Sequence, residues 1–479
     1  MQALLTAYEP LGAGFDEFVD GLGIPREHYS TLAQTLAALS DSDFRQRVTQ
    51  IGSALLHRGV TFTVYSDERG TERILPFDPL PRIVPAEEWS RVARGIEQRV
   101  RALNAFLHDV YHDQKILLTG KIPADVVFSS QFYNRDMIGL DPQGGVYIHV
   151  SGIDLIRDAD GGYLVLEDNV RTPSGIAYVL ENREVLKRTL PQMFRDYTPR
   201  PVDDYPSRLR GALQLVAPAF IDNPTIVLLT PGVYNSAYFE HTLLARRMGV
   251  ELVEGQDLLV HDNVVYMKTT KGLAKVDVIY RRIDDDFLDP LYFRPDSTLG
   301  AAGIFDAYRA GNVTLANAVG TGVADDKAVY RYVPEMIRFY LGEEPILPNV
   351  FTYDLTDPVQ RRHVIDNLEQ LVVKRVNASG GYGMLMGPAS SAAEREAFAQ
   401  AIERSPREFI AQPVIELSSH PTVLEDKVMP RRVDLRPFVL YGSTVECPPA
   451  ALTRVALEEG SLVVNSSQGG GSKDTWILP

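Results

Sequence analysis

Residues 148–170 read IHVSGIDLIRDADGGYLVLEDNV, two strand-like runs on either side of an Asp-Gly turn signal. If Asp160-Gly161 forms the loop, Asp154 lies directly opposite Glu167. If Gly161-Gly162 forms it, Asp154 faces Asn169. Strand side chains alternate with period two, so either register places Asp154, Glu167 and Asn169 on one face. Two carboxylates and an amide oxygen held together repel unless a cation or a proton relieves them. Oxygen-only donors suit magnesium or manganese, which also take phosphate oxygens. Spacing alone leaves a second reading, a solvated hairpin with an acidic outer face. Arg171-Thr172-Pro173-Ser174-Gly175, immediately beyond the hairpin, adds a cation and small polar groups and favours a site.

Further along, LVVKRVNASGGYG at 371–383 is an apolar strand carrying Lys374 into a glycine loop. A lysine in such a strand needs an anion or an exit to water, and glycines let backbone amides approach phosphates closely. The spacing fits neither the Walker loop nor the dinucleotide fingerprint. A hairpin with a snorkelling lysine is the plainer reading. Asp325-Asp326-Lys327 precedes an apolar-periodic helix, so an aspartate is expected to cap it and leave Lys327 exposed. The clusters RRIDDD at 281–286 and RRVDLR at 431–436 flank apolar strands. Their guanidinium forks suit carboxylate or phosphate, and surface ion pairs equally. His241 opens a helix after a strand, a position compatible with ligand contact or with packing.

With 48 basic against 63 acidic residues in 479, the formal charge of −15 argues against a non-specific grip on nucleic acid. The single cysteine, Cys447, excludes an internal disulfide framework and favours a reducing, cytoplasmic setting. No stretch reaches the roughly 20 apolar residues of a membrane span, and the N-terminus lacks a secretory pattern.

The length predicts about three lobes. Helical spacing runs from Phe15 to about Leu56 and from Ala86 to Tyr111, where Ile96, Val100, Leu103 and Leu107 recur. Residues 60–64 read as a strand, and proline-rich 76–85 as an irregular connection. The alternation of strand and helix over 203–320 predicts an α/β lobe. We divide the chain into a mainly helical region at 1–145, the hairpin region at 146–202, the α/β lobe at 203–320, and a last lobe at 321–479. Composition alone makes the Gly/Ser-rich stretch 465–475 a flexible linker.

At LEDNVRTPSG (166–175), YRRIDDDFLDP (280–290), GTGVADDK (320–327), VVKRVNASGGYG (372–383) and VVNSSQGGGSKDTW (463–476), the chain resembles the circularly permuted type 2 ATP-grasp family. Glutathionylspermidine synthetase is among its better-characterised members. The resemblance implies an α/β fold, a permuted ATP-grasp with an added Rossmann-like lobe, and the use of ATP and magnesium. It makes Asp154, Glu167 and Asn169 the metal edge, and Lys327 and Lys374 the lysines on the nucleotide phosphates. Gly380, Gly381 and Gly383 would form the loop over those phosphates, Gln412 would meet adenine, and Arg171 and Arg436 would contact phosphate. The synthetase carries an arginine two residues before its aspartate ligand, where this chain has Gly152.

The expected activity is joining a small-molecule or peptide carboxylate to an amine through an acyl phosphate, with Asn235, Glu240, Arg281 and Arg282 as candidate substrate contacts. A phosphotransferase would instead leave phosphate on its product, and a nucleotide-binding scaffold would show no turnover. The sequence names neither substrate nor any protein partner.

Overall fold

The computed structural model describes residues 8–12, 14–63, 72–219, 221–377, 383–424, 427–464 and 469–479. Its largest sheet has eight strands, and the hairpin Val150–Arg157 and Tyr163–Asn169 forms one end of it. Next to strand 150–157 runs the long strand Lys427–Tyr441, followed by Ala451–Val455, Gly471–Ile477 and Phe77–Val84. Ser419–Leu424 and Val445–Glu446 also pair with the long strand.

The hairpin reaches one of its two expected registers by an unexpected route. Its loop spans 158–162, with the Asp158 carboxylate accepting from the amides of Asp160 and Gly162 at 3.1 and 2.7 Å. Arg157 therefore faces Tyr163, and Leu155 faces Val165. Continued unbroken, that register would set Leu166 opposite Asp154 and turn Glu167 to the other face. A bulge between Asp154 and Leu155 absorbs Leu166 as an extra residue and restores Asp154 opposite Glu167 and Gly152 opposite Asn169.

Two sequence expectations fail in this sheet. Residues 77–84 form a strand, not an irregular connection. Its prolines are tolerated because it lies at the sheet edge, paired on one side, and the register slips where Pro79 and Pro81 fall. Gly471–Ile477, within the stretch whose composition suggested a linker, is a buried strand lying between 77–84 and 451–455. Its charges are satisfied by residues remote in sequence. Lys473 pairs with Asp78, and Asp474 accepts from Arg183 at 2.8 Å and from the Trp476 indole at 2.7 Å. Residues 465–468 lie outside the described residues.

Ala86–Tyr111 is a single 26-residue helix, and the residues at helical spacing, Ile96, Val100, Leu103 and Leu107, are fully buried. The expected α/β lobe contains a parallel sheet in the order Thr314–Ala316, Val278–Arg281, Ile226–Leu229, Glu251–Val253, with helix Tyr238–Met248 following strand 226–229. A smaller antiparallel sheet orders Tyr353–Asp354, Phe409–Pro413, Leu371–Arg375 and Met384–Met386 over its own core, which includes Val373, Leu385, Ile402 and Ala411. Helix Ala392–Arg404 covers it and starts with a Ser391/Glu394 capping box. Among the described residues no helix is long and apolar enough to cross a membrane.

Asn317 ties the parallel sheet to the hairpin. Its Oδ1 accepts from the amides of His149 and Val150 at 2.7 and 2.8 Å, and its Nδ2 donates to the carbonyls of Val150, Val170 and Arg171. One buried amide thus sets the start of strand 150–157 against the end of strand 163–169.

Candidate functional site

Asp154, Glu167 and Asn169 face a cleft of about 1110 Å³, open to solvent, which is also lined by Lys327, Lys374, Gln412, Asp434, Arg436 and Arg454. Residues carried by two separate sheets and one short helix are brought together there.

Lys327 arrives through two aspartates. Asp326 caps helix Lys327–Tyr330 by accepting from the Ala328 amide at 2.8 Å. Asp325 accepts from the amides of Val170 and Arg171 at 2.9 and 3.2 Å, which fastens the helix start to the end of the hairpin. Lys327 is consequently turned inward, and its Nζ lies 2.7 Å from Glu167 Oε1. The capping expectation holds, while the expected exposure of Lys327 does not.

Lys374 enters from the small antiparallel sheet and donates to Gln412 Oε1 at 2.8 Å. Gln412, directly across from Val372 on the neighbouring strand, is buried and donates in turn to Thr352 Oγ1 at 3.0 Å. Among the described residues Lys374 forms no ion pair with a carboxylate, so its ammonium has a neutral hydrogen-bond partner. Burial pulls this group down to about 8, helped by Lys327 and opposed by Glu167 and Asp154.

Asp154 is held by two arginines. Arg436 meets it side-on, Nε to Oδ1 at 2.5 Å and Nη2 to Oδ2 at 2.8 Å, and Arg454 Nη2 reaches Oδ2 at 2.7 Å. Burial opposes the charged carboxylate, but the two guanidiniums outweigh it and hold Asp154 well below the usual range. Asp434 also binds Arg454; burial pushes its carboxyl up, and the nearby Asp154 charge adds to this. Gly152 explains how Arg436 gets there. A Cβ at that position would stand 3.3 Å from Arg436 Cδ and 3.3 Å from Pro173 Cβ, so glycine leaves the arginine its path. The charge expected at position 152 is supplied from the neighbouring strand.

Sequence reasoning missed Arg454 and did not assign Asp434. Arg454 sits in the middle of the apolar run ALTRVAL, and a charge in a buried-type strand is a signal that a partner exists. The partner is its cross-strand neighbour Asp434.

Other candidates lie elsewhere. Arg171 does not line the cleft; it stacks on Phe132 at 4.3 Å and stands 3.5 Å from Asp325 and 3.6 Å from Asp284. Glu240, Arg281 and Arg282 are buried and engaged internally, contrary to the expectation of substrate contact. Glu240 accepts from the amides of Gly175 and Ala177 at the start of helix Ile176–Thr189 and pairs with Arg282 at 3.1 Å. Arg281 donates to the carbonyls of Ile283, Asn317 and Ala318 and pairs with Asp285. The side chain of Asn235 accepts from the Ala237 amide just before helix 238–248. His241 is buried against Thr230, its Nδ1 2.8 Å from the hydroxyl, which is a packing role. Gly380 and Gly381 lie outside the described residues. Gly383 is in the left-handed region with φ +66 and faces Arg375.

The fold and this cleft define an ATP-grasp protein, with a small antiparallel sheet facing a larger one and lysines and oxygen donors between them. The chain belongs to the circularly permuted ATP-grasp type 2 family, whose sequence pattern matches residues 81–456. It is 53% identical over 475 residues to an uncharacterized protein of Synechocystis sp., covering 99% of this chain and 98% of that one. An uncharacterized Mycobacterium tuberculosis protein is 53% identical over 465 residues, 97% of this chain and 84% of its own length. A Frankia casuarinae protein provisionally named glutamate–cysteine ligase 2-2 is 44% identical over 482 residues; the match takes in 99% of this chain and 54% of that protein. Among solved structures, the glutathione synthetase-like effector GSS30 of Globodera pallida, in its apo form, superposes with a TM-score of 0.58 at 10% identity, covering 92% of this chain and 98% of that one. That likeness is one of fold.

The ATP-grasp family generally uses ATP and Mg2+. The residues here fit such a group. Asp154, Glu167 and Asn169 supply oxygen donors of the kind magnesium takes, and Asn169 Nδ2, a buried N–H donor without a partner, leaves room for an acceptor such as a phosphate oxygen.

Proposed function

We propose that this protein is an ATP- and magnesium-dependent carboxylate–amine ligase that forms an amide or peptide-like bond. The observation that carries the proposal is Lys374, a half-buried ammonium with a neutral hydrogen-bond partner, facing the same cleft as Lys327 and an oxygen-donor edge. Bound ATP would convert a substrate carboxylate into an acyl phosphate, which an amine attacks to give the amide, with ADP and phosphate released. In this reading Lys327, Lys374 and Arg436 bind and orient phosphate oxygens and stabilise charge during transfer. Asp154, Glu167 and Asn169 hold the metal. Arg171, stacked on Phe132 and close to Asp325 and Asp284, is outside the cleft wall and takes no direct part. Arg454, itself held by Asp434, orients Asp154. The name of the Frankia relative fits the same class of bond formation, although this chain spans about half of that protein.

The test is an ADP-release screen crossing amino acids and small peptides with amines, followed by mass spectrometry. A ligase releases ADP and phosphate together, only when both partners are present, and yields an amide. A stable phosphoester on the product would replace this reading with phosphotransfer.

The state of Lys374 gives a second expectation. With its ordinary value pulled down to about 8 by burial, it loses its proton as pH rises through that value. ATP affinity should therefore fall between pH 7 and 9, approaching tenfold per pH unit above 8, in isothermal titrations. Lys374→Ala should bind ATP more weakly at pH 7 and lose this dependence. An unchanged titration in that variant would count against the assignment.

A further inference from the structure

The end of the long helix Ala86–Tyr111 carries a second group of metal-type donors, none of which lines the cleft. His108 and His112 lie one turn apart, and Asp141 approaches from the following loop. One ring nitrogen of each histidine and an Asp141 oxygen all fall within 4.8 Å of one another. The two rings lie with their centroids 4.3 Å apart, tilted by 32°.

The tautomer of His112 gives this cluster its meaning. Its Nδ1 lies 2.9 Å from the His108 carbonyl, which can only accept, so Nδ1 carries the proton. In the neutral ring Nε2 then presents a bare lone pair. That atom is shielded from solvent, lacks a hydrogen-bond partner, and stands 3.2 Å from Asp141 Oδ1, another acceptor. Two lone pairs facing each other at this distance require something positive between or beside them. His108 Nδ1 lies 3.7 Å from the same oxygen. One proton on His112 Nε2 would pair that ring with Asp141 and leave the His108 nitrogen at 3.7 Å unsatisfied. A metal ion satisfies all three donors at once.

We propose that His108, His112 and Asp141 form a binding site for a zinc-class divalent ion. Donors about 2.0–2.1 Å from tetrahedral zinc lie about 3.3–3.4 Å apart, close to the 3.2 and 3.7 Å separations found here. The bond from His112 Nδ1–H to a backbone carbonyl is the contact that orients a ligating histidine and fixes its tautomer. The loop is already anchored. Gly139 N donates to the Tyr111 carbonyl at 2.8 Å, and the Tyr147 hydroxyl donates to the Leu140 carbonyl at 3.2 Å, so Asp141 is presented by a held backbone. An ion here would fasten residues 138–141 to the end of the helix.

The test uses the metal-stripped full chain titrated with Zn2+, and with Co2+ read by the visible absorption of its tetrahedral complex. One ion per chain is expected at this site. His112→Ala and Asp141→Asn should each weaken it at least about tenfold, while Glu167→Ala, which removes a donor from the cleft, leaves it in place. Zn2+ should raise the melting temperature of the wild type and not that of Asp141→Asn, an exposed position where folding is not at risk. Equal Zn2+ affinity in wild type and both variants would overturn the proposal. So would a metal-free histidine that titrates with a raised value in a protein that takes up no Zn2+.

Discussion

Replacing Glu167 with alanine is expected to reduce ADP formation about a thousandfold or more while leaving the fold intact. The side chain is partly exposed, and its strand is held by backbone pairing to 150–157, so folding does not depend on the carboxylate. In the proposed reaction it serves twice. It donates to the metal edge, and it holds Lys327 in place through the 2.7 Å ion pair. Loss of one preorganised electrostatic group at a transferring phosphoryl is worth about 3–4 kcal/mol of transition-state stabilisation, and loss of a metal donor adds to that. Steady-state ADP release alongside circular dichroism provides the check. A folded Glu167→Ala enzyme with full activity would sink the metal assignment.

The second large effect falls on stability. Arg454→Met should cost about 3–5 kcal/mol in urea unfolding at neutral pH, because it leaves Asp154 and Asp434 buried beside each other with Arg436 alone to neutralise them. The sign of the pH dependence follows from Asp154. Its folded value lies below the unfolded one, so the stability it contributes is present above the unfolded carboxylate value of about 3.9 and is lost as pH falls through the folded value. Without Arg454 that contribution shrinks, and protonation relieves the repulsion. The deficit of the variant should therefore be greatest near pH 7 and narrow below about pH 4. Adding Asp434→Leu should recover part of it. A deficit under about 1 kcal/mol, or one independent of pH, would show that Arg454 is not a necessary counterion.

Several features of the cleft could be read from local pattern. The alternation around Asp154, Glu167 and Asn169 placed them on one face in both registers considered, and the structure reaches one of these only because a bulge at Leu166 corrects the parity that the actual turn sets. The buried helix 86–111 followed from apolar spacing. Lys374 stood out as a charge in an apolar strand. Harder to read were features whose cause lies far along the chain. Residues 471–477 look like linker because their lysine and aspartate are matched by Asp78 and Arg183, which composition cannot see. Glu240, Arg281 and Arg282 look like a substrate cluster for the converse reason. Charges at strand and helix ends announce that they have partners, without saying that those partners are backbone groups of this same chain.

The sequence by itself determined which residues share a local face of one strand or one helix, since helix and strand periodicity is a property of a few consecutive residues. Tertiary structure decided the rest. The Leu166 bulge, and not the turn, brings Glu167 opposite Asp154. Asp325 and Asp326 turn Lys327 from an exposed helix start into a partner for Glu167. Arg436 takes the place left by Gly152, and Arg454 shares Asp154 with it. Each of these depends on a neutralising charge or a free volume offered by an element distant in sequence, and such matches exist only once the sheets have assembled.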